Sequence, residues 1–135
     1  MDKLNYAWRL AMTGVAFASF SLGGLLITLC VFPVIRILPG GDAARRDRTQ
    51  WVIHSLFRLF TWFTCAVGIM RLHLKNAEAL RNTTGTLVLA NHPTLIDVVI
   101  MISLMPKADC VVKAALWESP FLGGVVRAAG YISND

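Results

Sequence analysis

A single uncharged stretch near the N-terminus constrains this chain more than any other feature. Between Arg9 and Arg36, 26 consecutive residues carry no charged side chain. A helix of that length is about 39 Å long, whereas the hydrocarbon core of a bilayer is about 30 Å thick, so it can span a membrane with tilt. We predict a helix from about Trp8 to Leu38, which Pro33 kinks or ends because proline lacks a backbone donor. Part of the chain therefore belongs in lipid.

The basic residues around this stretch predict its orientation and its partners. Two of them precede it and four follow it, which places the later side in the cytoplasm. They are Lys3 and Arg9 before the stretch, and Arg36, Arg45, Arg46 and Arg48 after it. The chain has a net charge of +5, but its basic residues form no stripe with base-stacking aromatic residues. We therefore expect anionic headgroups and no nucleic acid as partners. Arg127 is interpreted as a solvated helix residue.

A second apolar segment, from Gln50 to about Met70, carries one narrow polar stripe at helical spacing. The stripe consists of Gln50, His54, Arg58 and Thr61, and the opposite faces carry Trp51, Phe57, Phe60, Trp62 and Phe63. An arginine at a bilayer centre costs about 2.5–3.5 kcal/mol, so we expect an in-plane or re-entrant helix and not a second span. The aromatic face can equally pack against the first helix, and the two interpretations are compatible.

From Arg71 onward the pattern changes to alternating strands and helices. After a short strand at Leu72–Lys75, we predict strands at Thr86–Ala90, at Asp109–Lys113 and from Tyr131 onward, and helices at Leu95–Leu104 and Pro120–Ala129. This alternation indicates an α/β fold with parallel strands and helical crossovers. We therefore divide the chain into membrane-anchoring helices in residues 1–70 and the first βαβαβ part of a sheet in residues 71–135. Such a sheet is too small to cover itself, so we expect a fragment of a longer protein.

The stretch Asn91–Asp97 carries the chemistry, because it delivers a histidine to the carboxyl end of a predicted strand, where ligands bind in α/β sheets. His92 and Asp97 would diverge by about 140° on one helix. They meet if His92 lies in the turn, as Pro93 favours, and Asp97 lies in the first helical turn. Asp97 would then orient one ring nitrogen and leave the other as a general base. Alternatively, Asp97 stabilises the helix N-terminus and His92 fills the turn.

Three segments in order resemble one family. Asn91–Asp97 is similar to the His-x-x-x-x-Asp motif of the glycerolipid acyltransferases, which include the 1-acylglycerol-3-phosphate (lysophospholipid) acyltransferases. Val112–Gly123 resembles their Lys-x-x-Leu segment with its following Pro and Gly, and Gly130–Asp135 resembles the opening of their next block. The arginine usual in that block and the later Glu-Gly-Thr motif do not occur here. This departure leaves open whether the chain alone is active.

The resemblance implies transfer of a fatty acyl group from acyl-CoA or acyl-carrier protein to a lysophospholipid hydroxyl in phospholipid biosynthesis, without a metal or other cofactor. It implies His92 as general base, Asp97 as its orienter, and Asn91, Thr94 and Lys113 as substrate-binding residues. A lysine at a strand end can also simply reach water. The site would face the cytoplasm from the inner or plasma membrane. The alternative is a non-catalytic, membrane-anchored protein that binds lipid or a partner.

Overall fold

The computed structural model describes residues 3–81, 84–91, 94–120 and 122–134, and these are mostly helical. In chain order the elements are α1 (Lys3–Leu26), a π-helical turn (Ile27–Val31), α2 (Phe32–Ile37), α3 (Asp42–Ala66), α4 (Ala77–Arg81), α5 (Leu95–Leu104), β1 (Val111–Val112), α6 (Ala114–Trp117), α7 (Gly123–Ala128) and β2 (Ile132–Ser133). They form two compact units. The first unit comprises residues 1–17 and 53–106, and the second comprises residues 18–52 and 107–135.

The predicted apolar helix is present and almost entirely exposed. It runs from Lys3 to Ile37, 35 residues with a mean hydropathy of 2.2, and only 6% of its most apolar part is buried. A core helix of a soluble protein would bury most of such a surface. Among the described residues it is the one helix long and apolar enough to cross a membrane.

The helix passes Pro33 by changing its hydrogen-bond pattern instead of ending there. The N–H of Phe32 donates to the carbonyl of Ile27, five residues back, as in a π-helix. This wider turn fits a proline, which lacks an N–H and clashes with the carbonyl four residues before it. The helix continues to Ile37. The chain then turns at Gly40, whose φ of 124° favours glycine, as the predicted stop requires.

The helix α3 ends at Ala66, before the predicted Met70, because of a glycine cap. Gly68 has a φ of 79°. The N–H of Ile69 donates to the carbonyl of Thr64 over 3.1 Å, which is the long hydrogen bond of a Schellman motif. The helix therefore closes on its own carbonyl groups one turn earlier than its apolar pattern indicates.

Most of the predicted polar stripe of α3 points inward. Gln50 and Thr61 are buried and His54 is half-buried, whereas Arg58 is exposed. On the aromatic side, Trp51 and Trp62 are 63% and 66% exposed. The helix therefore buries three polar residues and exposes two tryptophans, the reverse of a helix on the surface of a soluble protein.

In the first unit, long-range hydrogen bonds fix the ends of the helices. The guanidinium of Arg9 donates to the carbonyl of Ile69 over 3.2 Å. The Nδ1 of His54 lies 2.9 Å from the carbonyl oxygen of Ile102 and must donate, because a carbonyl oxygen only accepts. Val99, on the inner side of α5, is 2% exposed and lies at the centre of this packing.

In the second unit, β1 and β2 form a parallel pair with α6 and α7 between them. Val111 pairs with Ile132. The helix α7 ends at a second Schellman motif, in which Gly130 has a φ of 73° and the N–H of Tyr131 donates to the carbonyl of Val126 over 3.0 Å. The predicted helical crossover, the helix stop at Gly130 and the last strand are thus confirmed.

A buried glutamine attaches the start of α3 to this parallel pair. The side-chain Nε2 of Gln50 donates to Asp109 Oδ1 over 2.8 Å and to the carbonyl of Ala129 over 2.9 Å. Arg46 forms an ion pair with the same Asp109. A buried amide is stabilised only when it is hydrogen-bonded, so these bonds determine which side of α3 faces the second unit's core.

Two predicted strands do not form. Residues 72–75 and 86–90 are in neither strand nor helix, and Leu87 and Leu89 are 82% and 85% exposed. A strand needs a neighbour for its backbone N–H and C=O groups, and within the described ranges only β1 and β2 provide that to each other. The fold is therefore α/β in its C-terminal part only, and mostly helical as a whole.

Two other predicted elements are shorter than expected. The predicted strand Asp109–Lys113 is only Val111–Val112 in the structure, because Lys113 is the N-cap of the unpredicted helix α6. The predicted helix Pro120–Ala129 is α7, which begins at Gly123. The hydroxyl of Ser119 accepts a hydrogen bond from the N–H of Leu122 over 3.3 Å, so Ser119 caps the turn before the helix.

We predict that Gly130→Ala lowers the midpoint of thermal unfolding, whereas Gly124→Ala does not. At Gly130 the left-handed conformation costs a non-glycine residue about 1–2 kcal/mol, and a Cβ would lie 2.5 Å from Arg46 Nε. At Gly124, within α7, a Cβ meets nothing within 4 Å, and alanine is the better helix former by about 1 kcal/mol. Thermal scans of both variants in detergent test this. Equal midpoints would contradict the capping role of Gly130.

Candidate active site

The motif Asn91–Asp97 lies at the N-terminal end of α5, in the first unit. His92 and Pro93 fall outside the described residues, so the pairing of His92 with Asp97 remains a prediction. Asn91 is exposed. Thr94 is the N-cap of α5, with the extended backbone angles φ −129° and ψ 157°. The predicted helix Leu95–Leu104 is confirmed at both ends.

Thr94 and Asp97 hold each other in a capping box at this helix start. The backbone N–H of Thr94 donates to Asp97 Oδ2 over 3.0 Å, and its hydroxyl donates to the same oxygen over 2.6 Å. The carboxylate occupies the third helical position, where the partial positive charge of the helix N-terminus also favours an anion. Asp97 therefore stabilises the helix start, as one of the two sequence-based interpretations requires.

The same geometry leaves half of the carboxylate available. Both hydrogen bonds from Thr94 converge on Oδ2 of Asp97, and Oδ1 receives none from the described residues. An ionised carboxylate has about four acceptor sites on its two oxygens. Oδ1 can thus accept a ring N–H from a histidine while Oδ2 caps the helix. The capping role and the orienting role do not exclude each other.

The surface around the motif is apolar. Leu87 and Leu89 precede it and are exposed, and Leu95, at the first position of α5, is 66% exposed. The core side of α5 is formed by its later residues, with Val99 and Ile102 buried. Exposed leucines beside a polar motif are typical of a surface that meets an apolar ligand or lipid.

Lys113 lies in the second unit, directly after β1. It is the N-cap of α6, and its carbonyl accepts the N–H of Leu116 over 2.8 Å. Its side chain is exposed and its ammonium group contacts no residue that the structure describes. The neighbouring N–H of Ala114 donates to Asn134 Oδ1 over 3.1 Å, which ties the end of β1 to the end of β2. Among the described residues Lys113 is therefore an unpaired cation at a strand end.

One pair of titratable side chains, the half-buried Cys110 and the buried Tyr131, was not predicted. Cys110 and Tyr131 come together because β1 and β2 are parallel neighbours. Burial raises the pKa of the Cys110 thiol, and the negative charge of Asp109 raises it further. Burial and the adjacent Cys110 raise the pKa of Tyr131 well above its usual value. Both groups are therefore protonated near neutral pH, and Cys110 is not a thiolate nucleophile.

Metal ligation finds no support in the described ranges, where no three His, Cys, Asp or Glu side chains come together. Two of the polar groupings that the structure does place together are the Thr94 and Asp97 pair in the first unit and the Arg46, Gln50 and Asp109 cluster in the second. Only the first belongs to a motif with a chemical interpretation from sequence.

Comparison with known proteins identifies the C-terminal half of the chain. Residues 71–135 match the family model described as Acyltransferase. This range includes the motif Asn91–Asp97, the strand-end Lys113 and both strands. Neither a curated protein nor a solved structure gives a significant match to the chain. Residues 71–135 of this chain therefore belong to the acyltransferase family.

Proposed function

We propose that the protein is a membrane-anchored O-acyltransferase that moves a fatty acyl group from acyl-CoA or acyl-carrier protein to the hydroxyl of a lysophospholipid such as 1-acylglycerol 3-phosphate. The family match over residues 71–135 carries this proposal, because it includes the motif Asn91–Asp97. The position of Asp97 in the first turn of α5 supports it further, since that position leaves one carboxylate oxygen for a histidine.

In the proposed reaction, neutral His92 takes the proton of the acceptor hydroxyl as the hydroxyl oxygen attacks the thioester carbonyl carbon. The carbon–sulfur bond then breaks, and the imidazolium returns the proton to the leaving thiolate, giving an ester and a thiol. General acid–base catalysis of this kind contributes about 10²–10⁴-fold. Because the acceptor attacks directly, the reaction needs no nucleophile from the protein, and this agrees with the protonated state of Cys110.

Asp97 orients the imidazole and stabilises its charged form in this proposal. Thr94 acts on Asp97, because its N–H and hydroxyl fix Oδ2 and thereby the plane of the carboxylate. While the hydroxyl of Thr94 donates its hydrogen bond to Asp97, its oxygen can still accept a hydrogen bond from a substrate.

Asn91, Thr94 and Lys113 are the proposed substrate-binding residues. Asn91 is exposed immediately before His92 in the sequence, where its amide can reach an acceptor. The exposed Lys113 ammonium is proposed to neutralise a phosphate of the donor or acceptor. The exposed leucines around the motif suit an acyl chain.

The membrane placement rests on the first helices. The exposed apolar helix Lys3–Ile37 is the proposed anchor, and the larger number of basic residues after it favours a cytoplasmic catalytic side, where thioester donors are found. The exposed Trp51 and Trp62 of α3 support an in-plane or re-entrant position, because indole rings favour the interface between water and lipid.

We expect His92→Ala and Asp97→Asn to lower acyl transfer to a lysophospholipid at least about 100-fold, because each removes one partner of the acid–base pair. Asparagine keeps an oxygen for the Thr94 hydrogen bonds, so Asp97→Asn removes the charge without removing the cap. His73→Ala is the matched control, because it removes an exposed imidazole outside the motif. Near-control turnover by either motif variant, at equal abundance, would contradict the roles of His92 as general base and Asp97 as its orienter.

The rate should rise with pH between about pH 5 and 8, because only neutral His92 can accept the hydroxyl proton. Protonation in acid occupies the basic ring nitrogen and so removes the general base. The measurement is kcat/KM for acyl transfer as a function of pH at constant ionic strength. A flat profile over this range contradicts the assigned role of His92.

Thr94→Val should lower kcat about tenfold or more, because it removes one hydrogen bond to the charged Asp97, an interaction of about 1.5–3 kcal/mol. A rise in KM beside this loss of kcat is the expected effect of removing its contact with substrate. Thr94→Ser keeps the hydroxyl and should retain the rate. Steady-state kinetics of the two variants test this, with circular dichroism as a check on helix content. If Thr94→Val instead raises KM alone, Thr94 binds substrate and does not position Asp97.

A further inference from the structure

Three arginines line one cleft in the second unit, which we call the arginine cleft. Its volume is about 270 Å³, and its lining consists of Asp42, Arg45, Arg46, Arg127, Ala128 and Gly130. Arg127 lies at the end of α7, and the other two arginines lie in the first turns of α3. Arg127 was predicted to be a solvated helix residue, and the structure places it in the lining of this cleft.

The arginine cleft carries more positive than negative charge. Its lining includes three arginines but only one acidic residue, Asp42. Asp42 pairs with Arg45 over 3.1 Å, and its side chain is 99% exposed, so solvent screens this pair strongly. Arg127 donates to the carbonyl of Trp117 over 2.8 Å and has no carboxylate partner in the described part of the chain. Arg46 pairs with Asp109, which lies outside the lining.

A neighbouring cleft of the same unit shows the contrast. It has about 330 Å³ and is lined by Ala43, Arg46, Asp47, Gln50, Lys107 and Asp109. Its two cations and two anions are paired, Arg46 with Asp109, and Lys107 with Asp47 over 2.8 Å. Its charges cancel, so it has no reason to attract an ion. Arg46 lines both clefts and is paired with Asp109, so the arginine cleft differs from its neighbour by the charge of Arg127, which no carboxylate in the described part of the chain balances.

The backbone around the arginine cleft adds to this preference for an anion. The helix α3 has 25 residues and begins at Asp42, so its N-terminal N–H groups and the positive end of its dipole lie beside the cleft. Gly130, on the opposite wall, leaves space for the side chain of Arg46, because a Cβ there would lie 2.5 Å from its Nε. The glycine thus permits the side chain of Arg46 to lie close to the backbone of the segment that follows Arg127.

We propose that the arginine cleft binds a phosphate group, either the headgroup of an anionic lipid or a soluble phosphate. Guanidinium groups present parallel N–H donors that match two phosphate oxygens, and several arginines around one small cleft suit a doubly charged group. This site is separate from the motif Asn91–Asp97 and from Lys113, and it does not depend on acyl transfer.

The test is calorimetric titration of the full chain in uncharged maltoside micelles with two probes, inorganic phosphate and dihexanoylphosphatidic acid. The double variant Arg45→Gln/Arg127→Gln should weaken binding at least about tenfold, because it removes charge-assisted hydrogen bonds of about 1.5–3 kcal/mol each. The matched control, Arg58→Gln/Arg81→Gln, removes two exposed arginines outside the cleft and should leave affinity within about twofold.

The two probes distinguish the source of the phosphate. Arginine-dependent binding of the lipid alone assigns a headgroup, binding of inorganic phosphate alone assigns a soluble ligand, and competition between them assigns the phosphate group of either. The proposal is overturned if neither probe binds saturably or if the double variant binds as well as the control. Should the double variant lose helix content, Arg127→Gln alone, at an exposed side chain, gives the same decision.

Discussion

The inward-facing polar side chains of α3 control how this chain distributes its apolar surface. Buried polar groups must be hydrogen-bonded, and two side chains of α3 find their acceptors in distant parts of the chain. In the second unit Gln50 donates to Asp109 and to the carbonyl of Ala129. In the first unit His54 donates to the carbonyl of Ile102. A helix that turns its polar stripe inward must turn its other side outward. Trp51 and Trp62 of α3 are consequently exposed, as is the apolar helix before it. In water such surfaces are unfavourable, whereas lipid removes the cost.

The helix start at Thr94 connects local stability to the proposed chemistry. A helix leaves its first N–H groups without intrahelical partners and attracts an anion. An acid–base pair needs a carboxylate in a fixed orientation. The carboxylate of Asp97 meets the first requirement with Oδ2 and keeps Oδ1 for the second. One residue can thus serve folding and catalysis, and the cap organises the site before any substrate binds.

The parts of the fold that the sequence predicted are those set by neighbours along the chain. The helix Leu95–Leu104 has a capping pair three residues apart and an uninterrupted apolar run, so both of its ends were predicted. The stop at Gly130 follows from the left-handed backbone that glycine permits. The start of α3 at Asp42 was missed, because the apolar pattern begins only at Gln50 while the first two turns are held by charge, including the ion pair of Asp42 with Arg45.

The sequence by itself determined the long apolar helix, the cap of α5 and the motif, because each depends on residues within a few positions of one another. Only the tertiary structure decided whether an extended segment becomes a strand. Residues 86–90 have the pattern of a strand but no partner among the described elements, whereas Val111 has one in Ile132. The tertiary structure also brought Arg127 into one cleft with Arg45 and Arg46. Backbone pairing and clustering of charge depend on groups far apart in the chain, and a linear pattern does not contain their distances.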